Sequence, residues 1–194
     1  MKRILFYTII LGLLWFMTIG MNCEEREIQV PVLGSAIHPF EVQSSSSTYN
    51  EQDTIDLSAE IEQIRQDNNF ERIVAILLQS VTFTVTNNQS QAGTVIDGVA
   101  RVSSTSFADM DTLAVLTSLD LDAIENVEQT PPLLPEGVLE VNKAISPLAG
   151  GTNVIYFSIN GSATPSPPPD LRFDIVVKVY INVIGIVKTE VPVI

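Results

Sequence analysis

The chain has one histidine, His38, and one cysteine, Cys23, among 194 residues, and this scarcity removes most metal and acyl-transfer chemistry. A tetrahedral zinc site draws its ligands largely from Cys and His, and here the two together supply only two. A Ser-His-Asp triad needs a histidine engaged on both ring nitrogens, yet His38 precedes Pro39 and no Gly-x-Ser-x-Gly surrounds any serine. His38 is expected in a loop, solvated or capped. Carboxylates are plentiful: Asp109, Asp111, Asp120, Asp122 and Glu125 fall within seventeen residues, and calcium needs several such oxygens converging on one cavity. Their spacing departs from an EF-hand loop, and Asp120 and Asp122 are better placed to cap a short helix over Leu121 to Asn126. A glycoside hydrolase needs two carboxylates at a set separation, which a sequence does not reveal. No catalytic residue, metal ligand or cofactor is assigned.

The thiol belongs to chemistry of another kind. Lys2 and Arg3 precede an apolar run from Ile4 to Met17, and Ile19-Gly20-Met21-Asn22-Cys23 follows; a positive start, an apolar core and small residues near a cut make an export signal. This segment resembles a bacterial lipoprotein signal. The resemblance implies a thioether-linked diacylglycerol on Cys23 and a cleavage that makes Cys23 the first residue. Such signals usually carry leucine three places before the cysteine and Gly, Ala or Ser just before it, where this chain has Gly20 and Asn22. An exported chain with a single cysteine forms no internal disulfide, and lipidation would consume the thiol. Two other readings stay open: cleavage after Thr18-Ile19-Gly20, and a retained helix from Ile4 to Met21, at the lower edge of the ~17–25 residues that span a bilayer. Glu24 and Glu25 resemble the acidic sorting residues that follow the cysteine in some lipoproteins.

Without residues 1–22, 172 residues remain, enough for one domain with its own core. They carry eight basic against twenty-three acidic side chains, a formal charge of −15. Nucleic acid and anionic lipid surfaces both reward clustered Lys and Arg, so neither is an expected partner. The expected division is a signal peptide over 1–22, a lipid-anchored segment with a possible edge strand and a Ser-rich linker over 23–50, and a β-sandwich over 51–194.

The elements follow from periodicity. Glu27 to Leu33 alternates and carries Pro31, which suits an edge strand or an extended tether. Ile55, Leu57, Ile61 and Ile64 predict a strand end passing into a short amphipathic helix with Ser58 as N-cap. Ser80 to Thr86 puts Val81, Phe83 and Val85 on one face and three threonines on the other, a sheet buried on one side. Thr94 to Val102, Leu113 to Thr117 and Val154 to Ile159 are further strands. Pro135 opens a helix with Val138, Val141 and Ile145 on one face. Phe173 to Ile184 alternates most strictly, and its length predicts a bend from one sheet into the other with a bulge at Gly185. Thr164 to Pro169 reads as a stiff hairpin loop, and the sequons Asn88-Gln89-Ser90 and Asn160-Gly161-Ser162 as turns. The expected fold is all-β: an antiparallel β-sandwich with one or two short helices.

These features fit an exported, lipid-anchored module of the cell envelope that binds a protein, glycan or lipid partner or serves structurally. Its place would be the outer membrane or cell surface, with secretion as the alternative. Two alternatives remain: a self-assembling surface subunit that adds its terminal strands to another sheet, and a carboxylate-based glycoside hydrolase.

Overall fold

A computed structural model describes residues 23–164 and 170–192. Among these residues seven strands, three short helices and one 3-10 turn follow in the order β1 (Cys23–Ser44), β2 (Thr48–Asp56), α1 (Ser58–Asp67), β3 (Arg72–Thr86), β4 (Val95–Ser103), β5 (Asp111–Asp120), α2 (Leu121–Ile124), α3 (Pro135–Ile145), the 3-10 turn Pro147–Ala149, β6 (Val154–Thr164) and β7 (Leu171–Pro192). Two antiparallel sheets face each other, one ordered β1-β7-β3 and the other β2-β6-β4-β5. The fold is the all-β sandwich expected. Among the described residues no helix is long and apolar enough to cross a membrane.

Alternation decides which side of each strand is core. Phe173, Ile175, Val177, Val179, Ile181 and Val183 are each at most 3% exposed, and Val81, Phe83 and Val85 join them from β3. Aromatic rings tie the sheets together, Phe40 on Phe157 at 5.1 Å and Tyr49 edge-on to Phe173 at 6.1 Å. Tyr49 fits because two glycines leave a slot for it: a Cβ on Gly98 or Gly161 would lie 2.6 Å from its hydroxyl. That hydroxyl donates to the Asp97 carbonyl, and burial raises its pKa. An interior apolar cavity between Val81, Phe83, Leu113 and Ile175 measures only ≈ 20 Å³, about one water, and is too small for a ligand.

Several local expectations change. β7 does not cross between sheets: it pairs with β1 for its whole length without a register shift, Cys23 opposite Pro192 and Ser44 opposite Leu171. Gly185 is therefore no bulge; it makes room for the Phe70 ring, which a Cβ would meet at 2.1 Å. The irregularities lie in β3, between Ile73 and Ala75 and between Leu78 and Ser80. The division at residue 50 falls inside β2, and the serine-rich stretch is a tight turn, with Ser44 and Ser46 hydroxyls donating to the Thr48 carbonyl. Ser58 is the first helical residue of α1 and not its cap; Asp56 accepts from its N–H at 2.8 Å. β6 and β7 belong to different sheets, so the Pro-rich connection, of which 165–169 lie outside the described residues, is a crossover and not a hairpin.

Three of the four edge strands, β1, β3 and β5, make bonds beyond their own ladders. Ser35 of β1 donates its N–H to Glu60 on α1 at 3.4 Å, so residues of its parity point their amides outward. Pro31 and Pro39 share that parity and have no N–H to offer, a common protection of edge strands. On β3, Leu78 donates to Asn142 of α3, while Phe83 and Val85 bond the segment Asn126–Gln129. On β5, the Leu113 carbonyl accepts from Leu134.

Candidate functional site

The outer face of the β2-β6-β4-β5 sheet gathers polar groups that the fold does not use. The register sets Gln52, Ser158 and Arg101 in one rung across β2, β6 and β4, and Asn50, Asn160 and Val99 in the next. Over them hangs the loop Ser104–Met110, whose Phe107 packs edge-on against Tyr156 with centroids 5.1 Å apart. Together they line an open cleft of ≈ 380 Å³, within the size of small-ligand sites. Asn160 also borders a groove of ≈ 260 Å³ that continues past Val99, Val115, Thr117 and Ser162. From Tyr156 to Ser162 the surface runs about 20 Å along β6 at ~3.3 Å per residue. Among the described residues the side chains of Asn50, Gln52, Arg101 and Asn160 make no hydrogen bond or ion pair. By contrast Arg65, Arg72, Lys143 and Lys188 are each paired with a carboxylate.

The overhanging loop is held firmly. Ser103 Oγ accepts from the N–H groups of Thr105 and Ser106, and Ser104 donates both its N–H and its hydroxyl to Glu140 of α3. Lys143 bonds the same carboxylate at 2.5 Å, and Lys143 first, then Ser104, hold Glu140 below the usual carboxylate range. Glu140 borders a second open cleft with Asp109 and Asp111. A general acid requires the reverse shift.

The residues singled out from sequence land apart. β5 separates Asp109 and Asp111, at its start, from Asp120 at its end and from Asp122 and Glu125 beyond it, a distance of about 30 Å for ten residues. Asp120 caps α2 as expected, accepting from the N–H groups of Asp122 and Ala123. Asp122 and Glu125 hold the preceding turn through Asn88 and Gly93. Among the described residues no three Asp, Glu, His or Cys side chains form a metal-sized group. His38 sits in β1 and not in a loop: it points inward, bonds Asp53 at 3.0 Å and stands edge-on to Phe40 at 4.7 Å. The Thr54 N–H first, then His38, lower the Asp53 pKa. No hydroxyl bonds His38 among the described residues. Cys23 is the first residue of β1; its side chain and residues 1–22, read above as an export signal, lie outside the described residues. Asn160 and Gly161 are strand residues of β6, so that sequon is no turn. Glu27 to Leu33 and Val191 pair within their own domain, and Ile194 lies outside the description.

The opposite outer face, on β1-β7-β3, differs in character. Thr82 is 6% exposed because Glu128 reaches over it, accepting from Thr82 Oγ1 at 2.5 Å and from Tyr180 at 3.1 Å. These bonds, with Lys178 nearby, lower the Glu128 pKa. Beside this knot Leu33, Ile37 and Leu77 stand exposed.

The site residues Phe107, Gln52 and Asn50 were missed because nothing local marks them. The alternation of Tyr156, Ser158 and Asn160 was the one usable signal.

Fold and surface together define an antiparallel two-sheet sandwich with an open polar cleft on one face. No family model and no curated protein matches the chain. Among solved structures it is similar to the decameric BFDV capsid protein at 12% identity, over 80% of this chain and 99% of that one, with a TM-score of 0.40. It is also similar to desmodium yellow mottle tymovirus at 9% identity (81% and 90% covered, TM-score 0.35) and to turnip yellow mosaic virus at 12% (86% and 84%, TM-score 0.31). At such scores the likenesses establish no shared assembly or activity.

Proposed function

We propose that the chain is an exported, lipid-anchored envelope protein whose sandwich is a non-catalytic binding module, with its ligand on the outer face of the β2-β6-β4-β5 sheet. The observation that carries this is the cleft of unengaged amide and guanidinium groups beside Phe107, built on a rigid sheet. Unpaired amides match the donor and acceptor pattern of hydroxyl-rich ligands, and an aromatic wall covers their C–H faces; the ligand class is a glycan. The lowered Glu140 in the adjoining cleft is unsuited to the role of general acid. The test is titration of the purified domain with a panel of envelope and capsule polysaccharides, repeated with Asn160→Ala and Phe107→Ala. Each change should weaken binding at least tenfold while the thermal midpoint stays put. Binding unaffected by both would refute the site. Anchoring has its own test: Cys23→Ala should abolish labelling by a fatty-acid probe, and a mature chain starting at Met21 with a free thiol would refute it.

Self-assembly is the second reading, and the exposed Leu33, Ile37 and Leu77 on the other face favour it. Around that apolar surface stand Glu128 with Lys178 beside it and, at the Ser35 edge, Glu60, so in an acidic chain two copies would meet there with little charge repulsion. Terminal strand addition is less accessible, since the described ends already pair with each other. Concentration-dependent sedimentation abolished by Leu33→Lys would establish this reading; a monomer at all concentrations would remove it.

A further inference from the structure

We infer that the cleft selects acidic sugars and that Arg101 is the residue that selects them; this rests on the binding reading above and narrows its ligand class. Arg101 lies in the middle of the sheet, in the same rung as Ser158 and Gln52. Its guanidinium has no partner among the described residues, in a chain where acids outnumber bases twenty-three to ten. A planar guanidinium offers two parallel N–H bonds to a carboxylate, the geometry that makes Arg selective for such groups. The next rung, about 7 Å along the strand for two residues, presents Asn50 and Asn160, which suit hydroxyls on the same or the following sugar. Phe107, 36% exposed, supplies the apolar wall. The groove beyond Asn160 leads on past Val99 and Val115, so the site is open-ended and admits a polymer chain.

The protein's negative charge reaches this place chiefly through Asp109, between the cleft-lining Ala108 and Met110 of the loop, and Asp111, opposite Val102, and both border the second cleft with Glu140 and Lys143. On β4 the nearest carboxylate in sequence is Asp97, four residues or about 13 Å from Arg101, beyond the ~8 Å screening length at physiological salt. Asp97 is also engaged, accepting from the Ser118 N–H at 2.8 Å. Glu140 beyond the loop is neutralised by Lys143. Asp53 on β2, 56% exposed, is engaged by His38 across the sandwich.

The experiment titrates the purified domain with polygalacturonate, polyglucuronate and alginate, each beside its methyl-esterified, uncharged form. Wild type should bind at least one acid polymer, more tightly than its ester by tenfold or more, and the preference should shrink as salt rises. Arg101→Gln should bring acid and ester to the same weak affinity, and Arg101→Lys should restore only part of the preference. Asn160→Ala should weaken both forms equally and leave their ratio unchanged. Equal wild-type binding of acid and ester, or an Arg101→Gln variant that keeps the preference, would overturn the acidic-sugar inference while leaving the cleft as a glycan site. No wild-type binding to any of the six polymers overturns the acidic-sugar inference by itself. If the wider polysaccharide panel is also silent, or binding survives Asn160→Ala and Phe107→Ala, the parent reading falls as well.

Discussion

The pairing of β1 with β7 makes the N-terminal segment part of the fold, α1 packs against it, and one glycine reports on that second contact. A Cβ on Gly34 would lie 2.2 Å from Ile64 Cδ1, whereas Ile64 Cγ1 and Glu60 Oε1 lie at 3.5 Å. Carbon contacts are favourable at ~3.5–4.0 Å, so Gly34→Ala collides with a single methyl group. Overpacking of this kind costs about 1–3 kcal/mol. Ile64→Val removes only Cδ1 from a side chain that is 7% exposed, at about 0.5–1.5 kcal/mol. The double variant puts the new methyl into the space just vacated, so its cost should stay near that of Ile64→Val alone, a coupling of about 1–3 kcal/mol. Urea unfolding followed by far-ultraviolet circular dichroism reads this out, because the one tryptophan, Trp15, precedes the domain. In thermal melts each kcal/mol should move the midpoint by about 2–4 °C for a domain of this size. Strictly additive single and double variants would mean that Gly34 and Ile64 do not meet and that α1 does not pack on β1 at this point, a result that leaves the pairing of β1 with β7 untouched.

Other outcomes follow from the same geometry. Val179 is 3% exposed, so Val179→Asp should unfold the domain, an unpaired buried charge costing several kcal/mol; Lys178→Asp on the outer face should matter much less, and a reversed ranking in thermal melts would invert the facing of β7. Glu62 is pushed down to about 2, by Arg65 first and Gln66 second; the folded value lies below the usual 4.5, so its contribution is full above pH 4.5 and is lost as pH falls toward 2. Glu62→Gln should therefore flatten the acid limb of the stability curve in that window, and an unchanged limb would contradict the pairing. Asp120→Ala removes the α2 cap and should cost about 0.5–2 kcal/mol, checked by urea midpoint against an Asp109→Ala control that changes little.

How much of this was legible beforehand depends on whether a feature is local. Strand facing is local, because side chains alternate every two residues, and Phe173 to Val183 and Val81 to Val85 could be oriented from their pattern alone. Helix starts are local too: Pro135 at the first turn of α3 and Asp120 at the cap of α2 act within a few residues. Where two local solutions compete, neighbours decide. Asp56 took the Ser58 amide, and Ser58 became helical instead of capping.

Pairing is not local, and it settled the rest. An alternating strand of 22 residues can bend between sheets or stay in one; the matching length of β1 kept β7 straight, and Phe70 rather than a bulge explains Gly185. Five acids close in sequence separated because an extended strand carried them about 30 Å apart. The cleft brings together Gln52, Arg101, Phe107 and Ser158, more than a hundred residues from first to last. The alternation of the sequence determined that Arg101 and Ser158 would point away from the core, but only the strand order β2-β6-β4 set Gln52 beside them and only the folded loop brought Phe107 over them, because cross-strand contacts depend on which edges meet and in what register.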